Sequence, residues 1–132
     1  MLIEIDFNSD EAIYMQLRNQ IIMGIAMEKL AEGESLPSVR QLAGELGVNM
    51  HTVNKAYARL QQDGYVKLDR RNGAVISVNV EDHVTHVQNV HSNMKMIVAQ
   101  AICKDISLEE MQILLQEMYE SYPNSRKATE SE

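Results

Sequence analysis

Five stretches of this 132-residue chain repeat apolar side chains at spacings of three and four, the mark of a helix with one buried face. Ile13, Tyr14, Leu17, Ile21 and Ile25 form the first stripe, in a helix expected from about Asp10 to Met27. Val39, Leu42, Ala43 and Leu46 form the second, and Val53, Ala56, Tyr57 and Leu60 the third. The fourth stripe is Val84, Val87, His91, Met94, Val98 and Ala101, broken only by the histidine; the fifth is Leu108, Met111, Leu115, Met118 and Tyr122. Between the third and fourth the period changes. Tyr65 to Leu68 and Val75 to Val80 are short β-prone runs around Asn72-Gly73, a dipeptide suited to a tight hairpin turn.

Punctuation residues fall where this pattern needs them. Pro37 fixes its own φ, and Ser38 with Gln41 has capping-box spacing, so the second helix is expected to start there and to stop at Gly47. Asn49 caps the third helix, which Gly64 ends. Residues 28–35, EKLAEGES, read as a polar loop. Lys104-Asp105 separates the last two helices, and Ser107 with Glu110 repeats the capping-box spacing before a helix expected from Leu108 to about Tyr122. The expected architecture is mainly α with a small β-wing. A winged helix-turn-helix domain spans residues 1–79, a two-helix dimerisation hairpin residues 80–123, and a polar, disordered tail residues 124–132.

Two short helices joined by a tight glycine turn have the grammar of a DNA-reading motif. With Val53, Ala56, Tyr57 and Leu60 turned inward, the third helix presents Met50, His51, Thr52, Asn54 and Lys55 near its N-terminus, where a helix in the major groove meets base edges. Arg70 and Arg71 sit beside the hairpin tip, placed to hold phosphates or a narrow minor groove.

The segment resembles the DNA-binding domain of the GntR family of bacterial transcription regulators. The matching positions are Leu36-Pro37-Ser38, Arg40, Leu42-Ala43, Leu46-Gly47-Val48, Thr52-Val53, Ala56-Tyr57, Leu60 and Gly64-Tyr65, preceded by Ile13-Tyr14, Gln16-Leu17, Leu30 and Gly33. The resemblance covers about residues 8–78 and implies DNA contacts from Ser38, Arg40, Asn49, Met50, His51, Thr52, Asn54 and Lys55. It also implies wing contacts from Arg70, Arg71, Asn72 and Gly73. The chain departs from the family where Met50 and Asn54 replace stronger donors, where Arg71 takes a wing glycine's place, and where Val75 replaces an aromatic residue.

Charge refines this picture. The chain carries a net −7, yet residues 35–73 hold 6 Lys and Arg against 3 Asp and Glu, while residues 79–132 hold 4 against 9. A locally positive face on an acidic body binds phosphate with a steep dependence on salt. The single Cys103 excludes an internal disulfide, and with no apolar run long enough to cross a membrane the chain is expected to be cytoplasmic.

The last two helices are too small to enclose a core, so their stripes need a partner surface. A second copy is the simplest one, which assigns Val84, Val87, His91, Met94, Val98, Ala101, Met111, Leu115 and Met118 to a homodimer interface. A two-fold dimer places its reading helices about one DNA turn apart, roughly 34 Å, and suits a near-palindromic operator in double-stranded DNA. So short a second module resembles the YtrA subfamily, which implies a repressor of its own operon and of a linked ABC transporter, with a small-molecule effector unknown. His83 and His86 are weak metal candidates, because His91 is strained as a third ligand; no metal or cofactor is assigned. Cys103 is expected to be mostly buried and inert. The sequence holds no phosphate-cradling glycine loop, nucleophile elbow or paired carboxylates, so no enzymatic activity is expected. Two alternatives are a metal- or ligand-responsive sensor using the C-terminal helices and a winged helix that docks protein.

Overall fold

The computed structural model describes residues 2–123; the tail read as disordered, residues 124–132, lies outside the described residues. The chain divides into two compact units, the first ending at Asn79 and the second beginning at Val80.

In the first unit, α1 spans Ile13–Ala26, α2 Val39–Leu46 and α3 Met50–Gln62, followed by an antiparallel pair, β1 Val66–Asp69 and β2 Gly73–Ile76. Helix α3 lies at the centre, against α1, α2 and β1. Leu17 and Ile21 of α1, Val53 and Leu60 of α3 and Ile76 of β2 are fully buried, with Leu30, Leu36, Leu42, Ala43, Ala56, Tyr57, Val66 and Ala74 packed around them.

Helix α1 starts with its stripe at Ile13, three residues after the start expected near Asp10. Asp6 accepts from the Asn8 amide and Ser9 from the Glu11 amide, so short polar side chains hold the backbone in turns that compete with the helix. The helix then ties down the preceding segment. The buried Gln16 amide group bonds both the N–H and the carbonyl of Asp6 and also the Glu11 carbonyl, each at 2.9 Å. That satisfies a polar group the core would otherwise reject.

At the far end, Arg18 of α1 donates through Nε and Nη2 to Asp63 just past α3, at 3.2 and 3.0 Å, and Arg59 reaches the same carboxylate at 3.2 Å. The Arg18 and Asp63 side chains are only 21% and 26% exposed, whereas Arg59 is 47% exposed. Arg18→Met is therefore expected to destabilise the unit by about 1 kcal/mol, and Arg59→Met by a few tenths at most. Thermal melting checks this; equal shifts would remove Arg18 as the fastening of α1 to α3.

The hairpin turns around Asn72-Gly73 as expected, through a three-residue loop. Asp69 pairs with Gly73, so the loop is Arg70, Arg71 and Asn72, and Gly73 opens β2 at φ 70°. A left-handed residue closing a three-residue loop is a glycine position. The Asp69 carboxylate accepts from the Arg71 amide at 2.8 Å and the Asn72 side chain at 3.2 Å. The Arg71 N–H, then Asn72, hold Asp69 below the usual carboxylate range; this support is complete above the ordinary value of 3.8 and is lost as pH falls through the lowered one. Strand β2 ends at Ile76 and not Val80, because Ser77 and Asn79 turn their amides to Tyr65 and Gly64.

The connector expected to be only a loop supplies a third edge to this sheet. Gly33 and Leu36 donate to Ile76 and Ala74, Ile76 donates to Glu34, all at 2.8 Å, and Ser35 bridges Val75.

The second unit holds α4, His83–Cys103, and α5, Leu108–Glu120. Asp82 caps α4 through Thr85, and Ser107 with Glu110 forms a full capping box on α5. The hairpin expected here is open: α4 and α5 make no extended contact with each other. Their connection, Lys104 to Ser107 with Asp105 left-handed, turns the chain without laying one apolar face on the other. Along α4, Val84, Val87, Val90, Met94, Met96, Ile97, Val98 and Ile102 stay exposed; along α5, Leu108, Ile113, Leu114, Leu115, Met118 and Tyr119 do. At 3.6 residues per turn all but Met96 on α4 and Ile113 on α5 fall within an arc about 140° wide, broader than the seam of Val84, Val87, His91, Met94 and Val98 taken at spacings of three and four alone. Ala101 is the exception among those residues: it is 6% exposed within one chain, where the Ile106 amide folds back onto its carbonyl. Cys103 is exposed, against the expectation of a buried thiol, because it closes α4 next to that turn.

Candidate nucleic-acid interface

Local capping sets the reading geometry. Ser38 Oγ accepts the Gln41 amide at 3.1 Å and starts α2; Gly47, at φ 69°, ends it in the left-handed conformation, and the Val48 amide returns to Ala43. Two residues later Asn49 Oδ1 accepts the His51 amide at 2.8 Å and starts α3. A helix can turn so tightly into another only where the residue between them tolerates positive φ.

With Val53, Ala56, Tyr57 and Leu60 buried, the opposite crest of α3 carries His51, Ala58 and Gln62, with Lys55 beside them on the side toward α1, all exposed. Met50, 46% exposed, and Asn54 sit on the flank toward the hairpin; Thr52 is half-buried on the other flank. Arg40 is exposed on the first turn of α2, and Arg70, Arg71, Asn72 and Gly73 are exposed at the hairpin tip. Ser38 and Asn49 are exposed too, but each uses its side-chain oxygen to cap a helix, which gives both a structural duty in addition to any contact.

Two clefts border α3. The cleft on the hairpin side, about 500 Å³, is lined by Ser38, Asn54, Tyr57, Gln61, Arg71 and Asn72 among others. Tyr57 braces its floor by donating to the Pro37 carbonyl at 2.7 Å, and burial, with Glu45 nearby, pushes the phenol pKa up so that it remains a donor. Across α3, a groove of about 310 Å³ is lined by Ile13, Tyr14, His51, Thr52 and Lys55. Sequence reasoning missed Gln61 and Tyr14. Gln61 follows Asn54 by seven residues on the same face and was within reach of periodicity; Tyr14 arrives from another helix and left no local signal.

The arrangement offers a convex helix with donors and acceptors on its crest, cationic side chains on both flanks and a basic hairpin tip. That is chemistry for a grooved, polyanionic surface. The weak metal candidates do not assemble a site: among the described residues no three His, Cys, Asp or Glu side chains come together to hold a metal ion. Among the same residues no helix is long and apolar enough to cross a membrane.

Comparison with known proteins places this geometry. The pattern of bacterial regulatory proteins of the gntR family matches residues 10–76. The HTH-type transcriptional regulator Rv1152 of Mycobacterium tuberculosis is 39% identical over 75 residues, 57% of this chain and 62% of that protein, so the chain spans about three-fifths of that relative's length. The HTH-type transcriptional repressor YtrA of Bacillus subtilis is 27% identical over 128 residues, covering 96% of this chain and 98% of the repressor. Among solved structures, YtrA from Sulfolobus acidocaldarius, a GntR-family transcription factor, superposes with a TM-score of 0.62 at 37% identity over 78% of this chain and 99% of that one.

Proposed function

Because the chain belongs to the GntR family of bacterial regulatory proteins, we propose that it is a homodimeric, sequence-specific DNA-binding repressor of the YtrA type, acting in the cytoplasm without catalysing a reaction. The observation that carries this reading is the exposed crest of α3 between two clefts, with Arg40, Lys55, Arg70 and Arg71 exposed around it. Helix α3 enters the major groove, and the hairpin tip reaches the adjoining minor groove. Repression follows from occupancy of a near-palindromic operator in its own operon and in that of a linked ABC transporter. Dimer formation is supported by the apolar arcs of α4 and α5, which one chain leaves in water.

Fluorescence anisotropy tests the reading, with DNA from the gene's own upstream region against a scrambled duplex at low and moderate salt. Selective binding of two protomers per site, weakening steeply with salt, is expected; equal, feeble binding to both duplexes would end the proposal. On the same assay, His51→Ala or Asn54→Ala is expected to cost about 1–3 kcal/mol of discrimination at one operator position. Arg40→Ala should instead weaken operator and scrambled DNA alike and flatten the salt dependence.

A further inference from the structure

Lys55 does not project freely from α3. Its Nζ lies 4.2 Å from the centroid of the Tyr14 ring, on the first turn of α1. The two side chains face a groove completed by Ile13, His51 and Thr52. No carboxylate lines this groove, and among the described residues Lys55 forms no ion pair. An ammonium held on an aromatic face keeps its full charge and its capacity to donate to an anion. His51 precedes Lys55 by four residues and stands beside it on the helix, and Thr52 adds a hydroxyl. The groove is thus a shallow, cation-bearing seat with three kinds of donor and no acid.

Its position identifies the anion, on the reading that α3 enters the major groove. A helix with its side chains is about 10–12 Å across and the major groove about 12 Å wide, so the strands bordering the groove run along the two flanks of the helix. The hairpin side of α3 meets one strand. The other flank carries the groove built by α1 and α3. We propose that this groove seats a backbone phosphate of the second strand, with Lys55 as the donor and Tyr14 as a positioning residue that holds the lysine in place.

Lysine is a flexible point charge, and each torsion fixed on binding costs affinity. Stacking on Tyr14 fixes part of that freedom before DNA arrives. Attraction between an exposed ammonium and a ring is equivalent to about a two- to fivefold change in an equilibrium constant. Tyr14 therefore acts on affinity through Lys55 and adds no charge of its own.

The experiment is operator binding by the full chain, measured over a salt series for Lys55→Met, Tyr14→Leu, Tyr14→Phe and the Tyr14→Leu/Lys55→Met double variant. Lys55→Met is expected to weaken binding and to lower the slope of log K against log salt by about 0.9 per protomer, the share of a single neutralised phosphate. Tyr14→Leu should weaken binding about two- to fivefold per protomer with the slope kept. Tyr14→Phe, which retains the ring, should bind as the parent does, and the double variant no worse than Lys55→Met alone. An unchanged slope in Lys55→Met, additive losses in the double variant, or Tyr14→Phe as weak as Tyr14→Leu would each overturn the assignment while leaving the DNA reading intact. If Tyr14→Leu melts early, Tyr14→Phe and the Lys55→Met slope still decide. A parent protein that neither prefers operator nor responds to salt would overturn both readings together.

Discussion

Val87→Glu combined with Met94→Glu is expected to give a monomer that binds its operator about 10²–10⁴-fold more weakly than the parent, the advantage of linking two reading units. Both residues sit near the middle of the apolar arc of α4, seven positions and about two helical turns apart, and are 51% and 39% exposed in one chain. In a two-fold assembly each substitution occurs twice, so four carboxylates enter one apolar surface. An unpaired buried carboxylate costs several kcal/mol, so four of them are expected to dissociate the dimer. Sedimentation gives the oligomeric state and anisotropy the affinity, while the melting of the first unit should not change. A dimer that survives both glutamates would remove this face of α4 from the interface.

Leu60→Ala acts on the other unit and should be the most damaging single truncation there. Leu60 is fully buried in α3, the helix that packs on α1, α2 and β1. Truncating such a leucine costs about 2–5 kcal/mol, against a total of about 4–12 kcal/mol for a unit of this length. Melting should drop by roughly 10–30 °C and DNA binding should vanish with it. Gln62→Ala, two residues on but exposed, should stay within about 0.5 kcal/mol of the parent. Comparable losses in the two variants would mean that Leu60 does not occupy the core. An operator duplex should raise the melting temperature of the parent in proportion to the logarithm of its free concentration over Kd.

Sequence alone determined the elements whose signals lie within a few residues of one another. Ser38 with Gln41, Gly47, Asn49 and Gly64 bound α2 and α3 closely, because caps and left-handed glycines act over one helical turn. The exposed residues His51, Asn54 and Lys55 followed from the period of the stripe beneath them. Where neighbours compete, local reading slipped: Asp6 and Ser9 delay α1. The Asp69 carboxylate draws the Arg71 amide into a three-residue loop, a length that Asn72-Gly73 does not announce. Tertiary structure decided every pairing between distant segments. Arg18 meets Asp63 across 45 positions, Ser35 reaches Val75, Tyr14 meets Lys55, and α4 and α5 leave their arcs open. A helical period reports which face is apolar and carries no information about what covers it, because that depends on where packing brings the rest of the chain.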